Sequence, residues 1–269
     1  MNHLRLFNAS CVSLAFMYST NAISNDCSEY RNKIVSPISF SQAYDSLRTI
    51  SPRGEFESRD DYNNRIKSYL IPNEILISKK AEKNKNNNFI YYNVDEQVLG
   101  IKKFSFNNSN VGIWMSSYKS NPNVNIDMMS QNYSVINIIK TDSSIYSASN
   151  AFGSIIDVKE TDYNVDVLVD PRKLHFMKSG LFPNYRDNEY LGSIRVNSID
   201  ARKIKSAGNL AFVVKPVFPY KSVSSWTFPE ATLDKPYTNN YKGRLIVIHF
   251  KCGLWLDENN KVIEAFSSE

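Results

Sequence analysis

Side chains able to do covalent or metal chemistry are few in this chain. Its 269 residues include three cysteines (Cys11, Cys27, Cys252) and three histidines (His3, His175, His249). His175 stands in Arg172-Lys173-Leu174-His175-Phe176, and His249 lies among Ile246, Ile248 and Phe250 in a strand-like run. A metal site usually draws on three or four His, Cys or carboxylate ligands, often with two closely spaced, and neither HExxH nor CxxC occurs. No metal and no cofactor are therefore expected. A Ser/His/Asp set can be picked from almost any chain with this many serines, and the G-x-S-x-G elbow that would give it meaning is missing. A Walker A loop and a G-x-G-x-x-G turn are missing too, so nucleotide phosphates have no recognisable cradle. Glu55 and Glu57 could be a paired acid and base, but alternate residues point to opposite sides of an extended chain. They read instead as charges near a positive helix start, and no catalytic residue is assigned.

The cysteines take their meaning from the first 24 residues. A short start carrying Arg5 leads into a mostly apolar stretch over 6–18, then into small and polar residues around Ala22 and Ser24. That is the layout of a secretory signal, cut after Ala22 or Ser24 and well short of the roughly 20 apolar residues of a membrane span. A retained anchor is one alternative. A lipoprotein acylated at Cys11 is another, although Asn8-Ala9-Ser10 lacks a leading Leu. No later stretch is long and apolar enough to span a bilayer. Once Cys11 leaves, Cys27 and Cys252 remain as an even pair in an oxidising compartment. One disulfide between them is expected, closing a loop worth roughly 5 kcal/mol at most in the chain-entropy model. Two unpaired thiols are the alternative.

Charge and composition narrow the class further. Lys and Arg number 32 against 27 Asp and Glu, or +5 overall, falling to +4 without Arg5. The basic residues are scattered among acids, so a nucleic-acid partner is not expected. The densest run, Lys79 to Lys85, lacks interleaved aromatics and reads as a solvated loop. Apolar residues at 42% allow a sizeable core, while Asn (31 residues), Tyr (16) and Phe (15) outnumber Gly (9). That balance favours strands joined by Asn-rich turns.

Elements that would position any site follow from periodicity. Residues 39–48 and 58–70 look helical, the second opening on Ser58-Arg59-Asp60-Asp61 with Tyr62, Ile66, Tyr69 and Leu70 as its apolar face and Arg65 placed to pair with Asp61. A short late helix begins near Ser198 and stops near Gly208. β-branched and aromatic runs elsewhere read as strands, at 74–78, 89–93, 98–106, 111–118, 133–140, 154–159, 164–169, 190–196, 210–217, 245–250, 254–256 and 262–266. Hairpin turns are expected at 93–96 and 257–260. The expected fold is α+β, mainly antiparallel sheet with two N-terminal helices and one short late helix, in a single domain over 25–269. A subdivision near 180 is the alternative, because 170–188 carries Pro171, Gly180 and Pro183.

Gly54-Glu55-Phe56-Glu57-Ser58, with Asp61-Tyr62 and Arg65 downstream, resembles a G-E-F-E-[ST] segment of an uncharacterised family of exported bacterial proteins. Asn150-Ala151-Phe152-Gly153 is similar to that family's N-A-F-G marker, and Ala231 to Pro236, Leu254 to Asp257 and Lys261-Val262 follow in the family's order. The resemblance implies export but no activity and no catalytic residues. By its own pattern 150–153 reads as a turn with Phe152 as an anchor.

Aromatic side chains are the remaining candidates for contact: Tyr91, Tyr92, Trp114, Tyr118, Tyr133, Tyr146, Tyr220, Trp226 and Tyr237. Most are expected to pack across strands. Pro216, Pro219 and Pro229 around Trp226 suggest a contact loop. The functional expectation is an exported periplasmic or cell-surface protein, non-enzymatic, binding a protein or envelope component. An exported hydrolase acting on cell-envelope material is the alternative.

Overall fold

The computed structural model describes residues 27–81, 89–106, 117–121, 124–127, 132–149, 152–172 and 190–267. Its helices begin where short polar side chains can satisfy free backbone N–H groups. Ser39 accepts the Gln42 amide, and the Gln42 side chain accepts the Ser39 amide, a reciprocal capping box that opens α1 (Phe40–Ser46) and buries Phe40 and Ala43. Ser58 accepts the Asp61 amide at 3.1 Å to open α2 (Arg59–Lys67), but the Asp61 carboxylate accepts a hydrogen bond from the Ser58 hydroxyl instead of reaching back to the backbone. This helix ends three residues earlier than its apolar spacing suggests. Tyr62, Ile66 and Tyr69 are only half-buried, and Leu70 is fully exposed. Asn197 caps α3 (Ser198–Ala207), and Gly208 closes it with φ +56°, a left-handed conformation that glycine adopts without a Cβ penalty.

The expected Arg65–Asp61 pair is not made. Arg65 grips Glu57 with Nε–Oε1 at 2.8 Å and Nη2–Oε2 at 2.9 Å, the planar two-point geometry that a guanidinium favours. Glu57 also accepts the Gly54 amide at 3.1 Å, so it ties the loop before α2 to the helix.

Strands dominate the rest: β1 (Ile75–Lys80), β2 (Ile90–Asn93), β3 (Val98–Lys102), β4 (Ser117–Asn121), β5 (Val124–Asp127), β6 (Asn132–Ser149), β7 (Ile155–Asp170), β8 (Tyr190–Arg195), β9 (Asn209–Thr227), β10 (Tyr237–Leu256) and β11 (Val262–Ser267). A six-stranded sheet runs β1-β9-β10-β7-β6 with β11 beside β10, a three-stranded sheet runs β2-β3-β8, and β4 pairs with β5. Every pairing is antiparallel except β7 with β10. This is the expected α+β fold with mainly antiparallel sheet. Both sheets draw strands from either side of residue 180. The turns at 93–96 and 257–260 form as expected, with the Asn93 and Asp257 side chains accepting backbone amides.

Four strands are far longer than the sequence suggests. The runs at 154–159 and 164–169 are one strand, as are 245–250 and 254–256, while β6 and β9 continue to Ser149 and Thr227. In β6 water reaches both sides: residues 137–147 are exposed on both faces, so no alternation of apolar and polar residues marks them. Two further corrections concern single residues. Lys79 lies in β1, only 4% exposed, with Nζ donating to the Val135 carbonyl at 2.6 Å, so the run beginning there is not wholly a solvated loop. Phe152 is 94% exposed and so lies outside the core.

One face of the large sheet packs Ile246, Ile248, Phe250 and Trp255 against α1, α3 and the smaller sheet. The opposite face carries a ladder of stacked rings, Tyr163 on Tyr241 at 5.2 Å and Tyr241 on Trp226 at 5.3 Å. Trp226 lies over Gly243, where a Cβ would come within 2.7 Å of the indole, so only glycine admits this approach. Farther along that face, Cys27, Tyr30 and Val35 cover Val213, Cys252 and Leu254. Cys27 and Cys252 stand at disulfide distance, with Cα atoms 5.8 Å apart. Beside them Tyr30 donates to Glu74 at 2.6 Å and Lys251 donates to the other Glu74 oxygen at 2.9 Å. Burial would raise the Glu74 pKa, but these two donors hold it below the usual carboxylate value.

Candidate functional site

The most developed polar constellation sits where β7, β10 and β9 leave the helix-covered core. Asp166, 5% exposed, accepts Arg244 Nε at 2.8 Å, Arg244 Nη2 at 3.1 Å and Asn137 Nδ2 at 2.9 Å. The three residues are direct neighbours across strands, Asn137 opposite Asp166 on β6 and Arg244 opposite Asp166 on β10. Helix α1 fixes the guanidinium from the side. Ser41 Oγ accepts Nη2 at 3.0 Å, and the guanidinium carbon lies 5.6 Å and 5.5 Å from the Phe40 and Tyr44 ring centres. Asp166 raises the Arg244 pKa further above its usual value, so the cation is permanent. Burial raises the Tyr44 phenol although Arg244 opposes it. Lys221 adds a second cation over the Tyr44 ring at 4.7 Å and donates to the Tyr44 carbonyl.

Two residues farther along the strands comes a second row on the same face. Lys242 stands between Asn164 of β7 and Ser225 of β9. Among the described residues none of these three side chains has a hydrogen-bond partner, and neither does Arg244 Nη1. Ile139 of β6 and Val223 of β9 are exposed and flank the rows on either side. Together they line an open groove of about 950 Å³. A third row closes its outer end with acids. Asn240 donates to Glu160 at 2.5 Å and to Asp162 at 3.1 Å, and Asp142 faces Asp162 across the β6–β7 pair.

The arrangement suits binding better than proton transfer. Asp166 is the buried carboxylate of the groove, and both its oxygens are committed to Arg244 and Asn137. What faces outward is a cationic edge, an ammonium, an amide and a hydroxyl between two aliphatic walls.

Residues singled out from sequence lie elsewhere. Cys252 is eight residues beyond Arg244 along β10, about 26 Å away in extended chain, so the cysteine pair takes no part in the groove. His249 is half-buried opposite Lys215, and His175 lies outside the described residues. No group of three or more His, Cys, Asp or Glu side chains among the described residues is arranged to hold a metal. Glu57 is bound to Arg65 and forms no acid–base pair with Glu55. Of the aromatics, Tyr91, Tyr146 and Tyr237 are exposed, Tyr92, Tyr133 and Tyr220 are half-buried, and the Trp114 and Tyr118 side chains lie outside the described residues. The contact loop expected around Trp226 begins only after it, at 228–236 with Pro229. Pro216, Pro219 and Trp226 all belong to β9, and Trp226 is 8% exposed within the ring ladder.

Arg244, Lys242, Asp166 and Asn164 escaped the sequence reading, although a signal was present. Lys242-Gly243-Arg244 places two cations on one face of any strand, and Asn164-Val165-Asp166 does the same for an amide and a carboxylate. Nothing in the sequence says that these two segments run parallel and adjacent. Among the described residues no helix is long and apolar enough to cross a membrane. Comparison with protein-family models, with curated proteins and with solved structures finds no match for the chain.

Proposed function

We propose that the protein is an exported, non-enzymatic binding protein of the periplasm or cell surface that holds a protein or envelope component in the groove across β6, β7, β10 and β9. The observation carrying this reading is the row Asn164–Lys242–Ser225 beside the outward edge of Arg244, a set of aligned donors and acceptors without partners among the described residues. Unused hydrogen-bonding groups on a fixed β scaffold, flanked by aliphatic side chains, are what a ligand site needs before its ligand arrives. Export is supported by the signal-like first 24 residues and by the cysteine pair at disulfide distance. The exposed Ile145, Tyr146 and Ile155 on the outer β6–β7 hairpin supply further contact area.

The test is retention of envelope material by the immobilised, oxidised protein. Wild type should retain a specific component, and Ser225→Trp, which fills the groove from an exposed position, should release it. Equal retention by both would remove the groove from the account.

A further inference from the structure

We infer that the groove takes its ligand through a single oxyanion, a carboxylate or a phosphate, seated between the Nη1 edge of Arg244 and the ammonium of Lys242. The inference rests on the binding reading above and adds the chemistry of the ligand. Arg244 is held from three directions: Asp166 occupies Nε and one hydrogen of Nη2, Ser41 accepts from Nη2 as well, and the Phe40 and Tyr44 rings lie alongside. Its side chain is nevertheless 40% exposed, and the Nη1 donors point to no acceptor among the described residues. A guanidinium fixed in this way loses little conformational freedom when it binds. Lys242 precedes Arg244 by two residues on the same face, about 7 Å along the strand, a gap that one oxyanion and a flexible lysine stem close together. Asn164 and Ser225 flank Lys242 and add neutral hydrogen bonds to whatever carries the anion.

Charge within the groove is +1, from Lys242 and Arg244 against Asp166. The border is opposite in sign, because Asp142 and Asp162 form the next row outward and Glu160 stands in the row after it. An oxyanion at the Arg244 end is attracted, whereas a polyanion running along the strands meets three carboxylates. The site therefore selects a ligand with one localised negative group and an otherwise neutral body resting on Ile139 and Val223.

The experiment titrates the full oxidised protein, isotopically labelled, with inorganic phosphate, acetate and polyphosphate at constant ionic strength, following the Arg244 Nε–H and the amides of 164, 225 and 242 by NMR. Saturable shifts at these positions with phosphate or acetate are expected. Lys242→Gln should weaken them about ten-fold and Lys242→Arg far less, as for loss of one charge-assisted hydrogen bond. Lys242 is exposed, so these variants test the site without disturbing the Arg244–Asp166 pair. Shifts linear in concentration, shifts unchanged in Lys242→Gln, or stronger binding of polyphosphate than of phosphate at the same residues would overturn the inference.

A second arm identifies the source of the anion. Envelope material that phosphate displaces from the protein carries the oxyanion on a larger component, whereas phosphate binding with nothing retained from the extract makes the ligand a small free anion. Material retained equally by wild type and Lys242→Gln, and not displaced by phosphate, would overturn the oxyanion while leaving the binding function standing. Failure of both phosphate binding and retention would overturn both.

Discussion

Asp166 and Arg244 meet side-on across the parallel seam between β7 and β10, two hydrogen bonds at 2.8 Å and 3.1 Å joining strands whose residues lie 78 positions apart in the chain. The pair has a structural share and a binding share, and these separate by substitution. Asp166→Ala strands a partly buried guanidinium and leaves Asn137 without its acceptor. A loss of about 2 kcal/mol is expected, between the values for exposed and fully buried pairs, and urea denaturation monitored by circular dichroism would read it. Asp166→Asn, which keeps an acceptor for Arg244, should lose less.

Asp170 is a second organising carboxylate, and it acts on the backbone. Strand β10 leaves β7 and takes up β11 near Phe250, beside a register shift in its pairing with β9. Asp170, 1% exposed, accepts the Phe250 amide at 2.9 Å, and Arg172, paired with Asp170, donates to the Phe250 carbonyl at 2.8 Å. Asp170→Ala leaves a buried amide unsatisfied and is expected to destabilise by about 3 kcal/mol, with Asp170→Asn keeping most of the loss at bay. Thermal unfolding of the two variants gives the comparison.

Cys27 and Cys252 stand at disulfide distance at the far end of the same sheet, beside the Tyr30–Glu74–Lys251 bonds. Non-reducing peptide mapping should recover Cys27 and Cys252 in one linked species. Reduction, or Cys27→Ser with Cys252→Ser, should cost about 2–5 kcal/mol while leaving groove binding intact, since the two sites share no residue. Stability unchanged by reductant would count against the bridge.

Glu57 gives a prediction in pH. The Arg65 hydrogen bonds, with a further one from the Gly54 amide, hold its carboxyl down to about 2, against an ordinary 4.5. Because the folded value is depressed, the link is fully present above about 4.5 and is lost as pH falls toward 2. An NMR titration of the Glu57 side chain should follow that window. Arg65→Gln should move it back toward the ordinary value, with the Gly54 amide still lowering it, and loosen the start of α2.

Caps and turns were legible because their signals are local: Ser58, Gly208, Asn93 and Asp257 do in the structure what their types suggest. The reciprocal box at Ser39 and Gln42 rests on the same kind of local signal, a hydroxyl followed three residues later by a side chain that reaches back. The length of β6 was not legible, because alternation reports burial of one face and residues 137–147 have water on both. Arg65 illustrates the limit within a helix, where spacing offered Asp61 but a preceding loop delivered Glu57 in better geometry. The assembly of the groove was not legible. Its residues are ordinary in sequence, and only the parallel pairing of β7 with β10 brings Asn164 beside Lys242 and Asp166 beside Arg244.

The most direct measurement of binding through this groove is the affinity of the retained envelope component for four folded proteins: wild type, Lys242→Glu, Ser225→Trp and His249→Ala. The two groove variants are expected to lose at least about ten-fold in affinity, the scale of one charge-assisted contact, while His249→Ala binds as wild type does. Wild-type affinity in both groove variants, or turnover of the component that a single polar substitution abolishes, would contradict the account.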